Sequence, residues 1–491
     1  MSSNELSSHE LSRNDDTLTN DSPSQGSAVV AIATAPGNAG LSVLRASGRE
    51  VFSRIASCFK SDKLTEASSH TVHYAKLYHP TSKHFIDEVM VAKFVAPSSF
   101  TGEDSVEITC HGGYLSTQSV YEALLASGLE PAKPGEFTHR AFMNGKMDLS
   151  QAEAVAEMIH AKSEQGLRAA RQQLTGALGE KVQAFRQALI DTTAMVELEL
   201  DFSEEDVEFA DKQRLRSLLT DLDQGCTQLL DTYETGRLIR DGIKTAILGQ
   251  PNAGKSTLLN ALLGQNRAIV SPTAGTTRDT VEADFAIDGV YFRLIDTAGI
   301  RATDDEIEAE GVKRSQTAMQ EADLILWVKD QSQPMAEEEQ AIQEAVSKLS
   351  VPVIRVLTHN DLPADATLDP TYWDLSLDLS KPEDPGLELL SEYMVTRTLQ
   401  AEHLQEESTL VTSSRHRQAL KEAQDHIVSA IQGLDNAIPE DLIAIDLRGA
   451  IQQFGLITGA ISNEDILDSI FSRFCIGKLR AYVVDLDESA G

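Results

Sequence analysis

The sequence predicts a multidomain chain: an α+β N-terminal domain, an all-α helical domain, and an α/β P-loop domain of the Ras-like type inserted into the helical one. Three observations predict it. A β-branched run at 243–248 leads into Gly249-Gln-Pro-Asn-Ala-Gly-Lys-Ser256, which fits G-x-x-x-x-G-K-[ST], and Thr257-Leu-Leu-Asn opens a helix directly after it. Apolar residues recur three or four apart both before and after that domain. Short β-rich runs separated by glycine turns fill the first part of the chain.

Taken in order, residues 1–27 are Ser-, Asn- and Asp-rich with almost no apolar residues and predict a disordered tail. Structure is expected from Ala28, whose apolar run forms a strand ending at Pro36-Gly-Asn-Ala-Gly40. Leu41–Arg45, Val72–Leu77, Asp87–Phe94 and Ser105–Thr109 read as further strands, with a helix from about Thr117 to Ala126. The N-terminal domain spans 28–145. Helical periodicity runs over 146–241 through Leu167, Leu174, Val182 and Leu189, then Leu215, Leu222 and Leu229. The acidic Ser203-Glu-Glu-Asp between these helices reads as a solvated helix start rather than a metal site. Residues 242–400 alternate strand and helix, with Asp288-Gly289 turning a hairpin. Helices return over 401–478, the last capped at Ser462 with Asp465 three residues on, and 479–491 form an acidic C-terminal extension.

A length of 491 residues accommodates about three domains. Cys58, Cys110, Cys226 and Cys475 show no C-x-x-C spacing, so neither a zinc site nor a disulfide framework is indicated and a reducing cytoplasm fits. No apolar stretch reaches the roughly 18 residues of a membrane span. The acidic first 27 residues exclude a secretory signal and disfavour a mitochondrial presequence. A net charge of −34 repels nucleic-acid phosphates, so any RNA contact must be local or made by a partner.

In the phosphate loop, backbone N–H groups from Asn252, Ala253 and Gly254 converge on phosphate oxygens, Lys255 reaches the β/γ-phosphates, and the Ser256 hydroxyl can hold Mg²⁺, with Thr257 beside it. Asp296-Thr297-Ala298-Gly299 ends an apolar strand, where Asp296 reaches the metal through water and Gly299 senses the γ-phosphate. Gly275-Thr-Thr-Arg-Asp279 offers Thr277 as a second Mg²⁺ ligand. These motifs, in this order, point to a GTPase. The base-reading motif departs from Asn-Lys-x-Asp and is Thr358-His-Asn-Asp361; Asp361 can accept from the guanine N1 and N2 hydrogens, but His359 cannot lie along the base as a Lys stem does. Ser380-Lys381 is the candidate closing loop. Ile300 stands where many GTPases carry a water-orienting Gln. Read from the residues alone, Asn252 is a turn residue or a ligand, and Glu308 a solvated carboxylate or a water holder.

With these motifs in hand, the chain resembles a known family, the tRNA modification GTPase MnmE (TrmE) family. The resemblance covers about 27–478 and rests on AIATAPG (31–37), FTGED (100–104), HGG (111–113), KPGEFTHRAFMNGKMDL (133–149), GQPNAGKS, GTTRD, DTAGIR (296–301) and FSRFCIGK (471–478). It implies a potassium-dependent GTP hydrolase that, with the flavoprotein MnmG, modifies carbon 5 of the wobble uridine of certain tRNAs. The N-terminal domain is then expected to bind 5,10-methylene- or 5-formyl-tetrahydrofolate and to join a homodimer. The resemblance further implies a heterotetramer with MnmG that meets tRNA mainly as a complex, in the cytoplasm and away from membranes. Carried over by position, Asn252, Ser271, Thr273 and Thr276 fall on the K⁺ site, and Ser256 and Thr277 on the Mg²⁺ site. Glu308 falls on the acidic residue that acts through water, with Lys255 and Arg278 as the other candidate catalytic groups. Arg45, Glu107, Lys146 and Lys478 match folate positions. Cys475 matches the family's C-terminal cysteine, although a small buried hydrophobe is an equal reading of it. A GTP switch without donor chemistry, such as a ribosome-assembly factor, shares the GTPase motifs, and a folate pocket in 28–145 separates the two; an ATPase is disfavoured by Asp361.

Overall fold

The computed structural model describes residues 27–201, 212–265, 267–268, 284–295, 318–381, 384–400, 409–472 and 474. The tail expected at 1–27 (apart from Ser27), the acidic segment 203–206 and the extension 479–491 lie outside them. The chain divides into two compact units, Met1–Lys146 with Phe471–Gly491, and Met147–Ile470.

The first unit is built on a six-stranded sheet of β1 (Val29–Ile32), β2 (Leu41–Ser47), β3 (Thr71–Tyr78), β4 (Phe85–Phe94), β5 (Ser105–His111) and β6 (Glu130–Pro131), in the order β3-β4-β5-β2-β1-β6. The pleat sorts its residues. Leu44, Ala46, Val106, Ile108 and Cys110 point to one face, where Val120, Tyr121 and Leu124 of the helix Tyr114–Ala126 cover them. That helix starts three residues before the predicted Thr117, at Tyr114 after an N-cap Gly113 with no side-chain cap, because a glycine leaves no local signal of a helix start. On the other face β2 and β5 place Arg45 opposite Glu107, and Leu41 opposite His111.

In the second unit, helices Leu149–His160, Glu164–Leu174, Ala177–Asp201, Lys212–Asp231 and Tyr233–Asp241 precede a seven-stranded sheet, and Ser414–Asp435 and Glu440–Thr458 follow it. Val182, Leu189, Leu219 and Cys226 share one core with Leu420, Ile427, Leu447 and Phe454, so helices from both sides of the insertion form a single bundle. Departure and return of the chain lie side by side: Val411 N–H donates to Thr232 Oγ1 at 3.0 Å, and Gly236 is so close to Val411 O that a Cβ would sit 2.4 Å from it. The last of the described helices, Glu464–Phe471, begins one residue later than predicted. Asn463 Oδ1 accepts from Ile466 N at 2.9 Å and so takes the capping role assigned to Ser462, an Asn being an equally good cap.

The inserted sheet comprises β7 (Ile243–Leu248), β8 (Arg267–Ala268), β9 (Asp284–Ile287), β10 (Val290–Ile295), β11 (Leu324–Asp330), β12 (Val353–Thr358) and β13 (Leu375–Ser376), ordered β13-β12-β11-β7-β10-β9-β8. β10, β7, β11, β12 and β13 run parallel, whereas β9 pairs antiparallel with both of its neighbours, β10 and β8. Asp288 and Gly289 turn the predicted hairpin with φ of 49° and 75°, the positive pair a two-residue primed turn requires. That hairpin is gripped by the helical bundle. Gln165 N–H donates to Gly289 O at 3.0 Å, Lys162 Nζ donates to Tyr291 Oη at 2.9 Å, and Tyr291 Oη donates to Asp284.

Candidate functional site

β7 lies between β10 and β11, and its C-terminal end opens into the glycine loop, the edge at which parallel sheets carry their ligands. Gly249, at φ 148°, passes so close to β11 that a Cβ would lie 2.1 Å from Val328 O. Asn252 and Gly254 follow at φ 65° and 84°, the reversals that turn successive N–H groups inward. The helix Lys255–Gln265 starts at the loop's end, with the side chains of Ser256 and Thr257 exposed on its first turn. Lys255 Nζ donates to Gly249 O at 2.8 Å and to Gln250 O at 2.7 Å, and burial depresses its pKa. The ammonium is thus held over the loop by two carbonyls that phosphate oxygens can replace.

The turn that carries the candidate base-reading motif stands beside this loop. Thr358 is buried, and its Oγ1 donates to Ala253 O at 2.8 Å with Lys329 O at 3.1 Å, tying the end of β12 to the phosphate loop. His359 adopts φ 57°, Leu362 N–H closes the turn onto His359 O at 2.9 Å, and Asp361 is carried exposed between them. His359 Nε2 is buried without a hydrogen-bond partner. Ser380 donates from N and Oγ to Asp378 Oδ1, at 3.2 and 2.5 Å, ordering the loop before the helix Pro385–Thr396.

The structure therefore gathers Asn252, Ala253, Gly254, Lys255, Ser256, Thr257 and Thr358 at one end of the sheet, while Asp361 and Ser380 stand on the two loops that follow β12 and β13. Ser271, Thr273, Thr276, Thr277, Arg278, Asp296, Thr297, Ala298, Gly299 and Glu308 lie outside the described residues, as do Cys475 and Lys478. Sequence reasoning missed Gln331, whose side chain is bonded to the turn 359–362, because a lone Gln after a strand carries no motif; it also missed the buried Lys329–Glu339 pair.

In the first unit, Arg45 and Glu107 face each other across β2 and β5, with Nη2 and Nε at 2.6 and 3.0 Å from Glu107 Oε1. The guanidinium lies over the rings of Phe100 and Phe137, at 5.1 and 5.8 Å from their centroids. Those rings belong to FTGED and KPGEF, so two motifs more than 30 residues apart converge on one arginine. Lys146 Nζ is bound to Pro97 O at 3.1 Å. Phe471, from the C-terminal motif, packs on the same unit: its ring lies 4.9 Å from His139, and a Cβ on Gly135 would stand 2.5 Å from Phe471 O.

A parallel sheet ending in a glycine loop, followed by a Lys-Ser helix start and a carboxylate-bearing turn two strands away, defines a P-loop nucleotide-binding protein. Its family can be stated more closely. Residues 149–475 match the model described as MnmE helical domain, and residues 28–146 that of the GTP-binding protein TrmE N-terminus. The tRNA modification GTPase MnmE of Salinibacter ruber is 46% identical over 93% of this chain and 100% of its own length; that of Chlorobium phaeobacteroides is 45% identical over 92% and 97%. Among solved structures, the G domain of the T. maritima FeoB iron transporter is 26% identical over 32% of this chain and 98% of its own, at TM-score 0.23. The chain belongs to the tRNA modification GTPase MnmE family.

Proposed function

We propose that this chain is a potassium-dependent GTP hydrolase that, with a flavoprotein partner of the MnmG type and a one-carbon tetrahydrofolate, modifies carbon 5 of the wobble uridine of certain tRNAs. The observation that carries the reading is the phosphate loop, whose Lys255 is poised on two exchangeable carbonyls in a chain related along nearly its whole length to tRNA modification GTPases. Lys255 then binds the β/γ-phosphates, and Asp361 accepts the guanine N1 and N2 hydrogens. Ser256 with Thr277 would hold Mg²⁺, and Asn252 with Ser271, Thr273 and Thr276 would hold K⁺. The fit is sound where it can be tested, since Ser256 offers an exposed hydroxyl on the first helical turn and Asn252 an exposed amide, both hard oxygen donors. These cations, when bound, neutralise charge on the transferring phosphoryl group. Glu308 holds the attacking water, a task Ile300 cannot do, and Arg278 completes the candidate catalytic set.

In the first unit, Arg45, Glu107 and Lys146, with Lys478, form the folate site, and the packing of Phe471 on that unit supports a contribution from the C-terminal motif. The open sheet face supports a homodimer. By register, Val72, Tyr74, Met90 and Leu41 share the face of Arg45 and Glu107, and all four are exposed, a patch that a second copy would cover. Among the described residues no helix is long and apolar enough to cross a membrane.

Mass spectrometry of tRNA wobble nucleosides from cells lacking the protein tests the whole reading: the aminomethyl-type groups at carbon 5 should disappear, and their persistence would overturn it. Calorimetry with 5-formyl-tetrahydrofolate tests the first unit, where Glu107→Ala should abolish binding with GTP turnover intact.

A further inference from the structure

We infer that Gln331 is a positioning residue for guanine selectivity, the brace that places the turn bearing Asp361. Gln331 follows the last residue of β11 and is 6% exposed. Its side-chain amide Nε2 donates to Leu362 O at 2.7 Å and to His359 O at 3.3 Å, so one amide group holds both ends of the turn on which Asp361 rides. Its Oε1 accepts from Ser376 Oγ at 3.4 Å. Its backbone N–H donates to Thr358 O at 3.2 Å, and its backbone O accepts from Asp365 N at 2.8 Å. One residue thus bonds to positions 358, 359, 362 and 365 of this loop, and none of these bonds is to the phosphate loop.

The departure from Asn-Lys-x-Asp explains why such a brace is needed. An Asn at position 358 would have an amide with two donors and an acceptor, but Thr358 has a single hydroxyl proton, and that is directed to Ala253 O and Lys329 O. Thr358 therefore secures the loop on its phosphate side only. His359, in the left-handed region, closes the turn through its carbonyl, but its Nε2 is unpartnered and adds no side-chain bond from that atom. Gln331 reaches across from β11 and supplies such a bond. A carboxylate discriminates by accepting two N–H groups at fixed distances, so a small displacement of the turn loses selectivity before it loses phosphate binding.

The inference rests on the guanine reading of Asp361, and the experiment separates the two. Equilibrium binding of GDP, IDP and ADP to the full chain is measured for wild type, Gln331→Met and Gln331→Asn, with the fold followed by circular dichroism. IDP differs from GDP only by the 2-amino group, and phosphate contacts are common to all three. If wild type fails to prefer GDP over ADP, the guanine reading itself fails. If it does prefer GDP, the GDP:IDP affinity ratio should be roughly 10- to 100-fold, the worth of one hydrogen bond to a charged acceptor. Gln331→Met, which loses the donor, should bring that ratio to about threefold or less. Gln331→Asn, one methylene too short to span both carbonyls, should fall between. A folded variant that keeps the wild-type ratio, or that weakens GDP and IDP equally, overturns the inference. So does failure of both variants to fold, because a local brace does not decide the fold of the chain.

Discussion

Lys329 and Glu339 form an ion pair closed to solvent, with side chains 1% and 3% exposed and Nζ 2.8 Å from Oε2. Pro334 O accepts a second bond from the ammonium at 3.1 Å, and the same Glu339 oxygen accepts from Ala336 N at 2.9 Å, at the start of the helix Glu337–Val346. Each charge has a second partner besides the other, so the pair as a whole is nearly neutral to stability, whereas removing one member strands the other in a low dielectric. Glu339→Ala should therefore cost about 3–5 kcal/mol. For a domain of this size that corresponds to a fall in Tm of roughly 6–20 °C. The assay is built into the chain: its two tryptophans, Trp327 and Trp373, lie 5.0 Å apart by ring centroid in this domain, so their fluorescence reports its unfolding and not that of the helical bundle. Lys329→Met with Glu339→Leu should recover most of the loss, since a well-packed apolar pair replaces the ionic one without an orphan charge. A loss below about 1 kcal/mol for Glu339→Ala, the range of an exposed pair, refutes the reasoning. A double variant as unstable as the single one does the same.

Gly249→Ala forces a Cβ to within 2.1 Å of Val328 O at a φ of 148°, and should abolish detectable GDP binding; near-normal affinity would remove the close strand contact from the account of the loop. Glu308→Ala should bind GTP normally yet hydrolyse it 10²- to 10⁴-fold more slowly, roughly the worth of one positioned acid–base group, and wild-type turnover should be faster in K⁺ than in Na⁺; single-turnover rates in the two salts check both. In the helical bundle, burial pushes Glu157 up to about 7, with Arg240 opposing and Glu153 adding to the rise. Its folded-state pKa lies above the unfolded value near 4.5, so the stability it contributes is complete below about pH 4.5 and is lost as pH rises through 7. Glu157→Gln should therefore gain stability over wild type between pH 5 and pH 8, by on the order of 2–3 kcal/mol, in urea melts followed at 222 nm. A difference that is flat with pH would show that Glu157 is ionised throughout.

What could be read from the chain, and what could not, divides along the range of the interactions. The phosphate loop, the Asp288-Gly289 hairpin and the interrupted bundle were legible because each is written locally: a glycine spacing, a pair of residues tolerant of positive φ, a period of 3.6. The helix start at Tyr114 was missed for the converse reason, since Gly113 caps nothing with a side chain. Arg45 and Glu107 are 62 residues apart, and only the antiparallel register of β2 on β5 makes them partners; a slip of one residue would send one of them to the buried face with Leu44 and Ile108. The same holds for the base-reading turn. Thr358-His-Asn-Asp361 reads as a weakened Asn-Lys-x-Asp only while the motif is judged by its own four residues. In the folded chain an amide does reach this turn, from Gln331 just past the end of β11 and 27 residues before Thr358, because parallel pairing sets Asp330 opposite Thr358 and so brings the next residue to the turn. A departure from a motif at one position is therefore a reason to search the neighbouring strand end for the donor that replaces it, before concluding that the function is impaired.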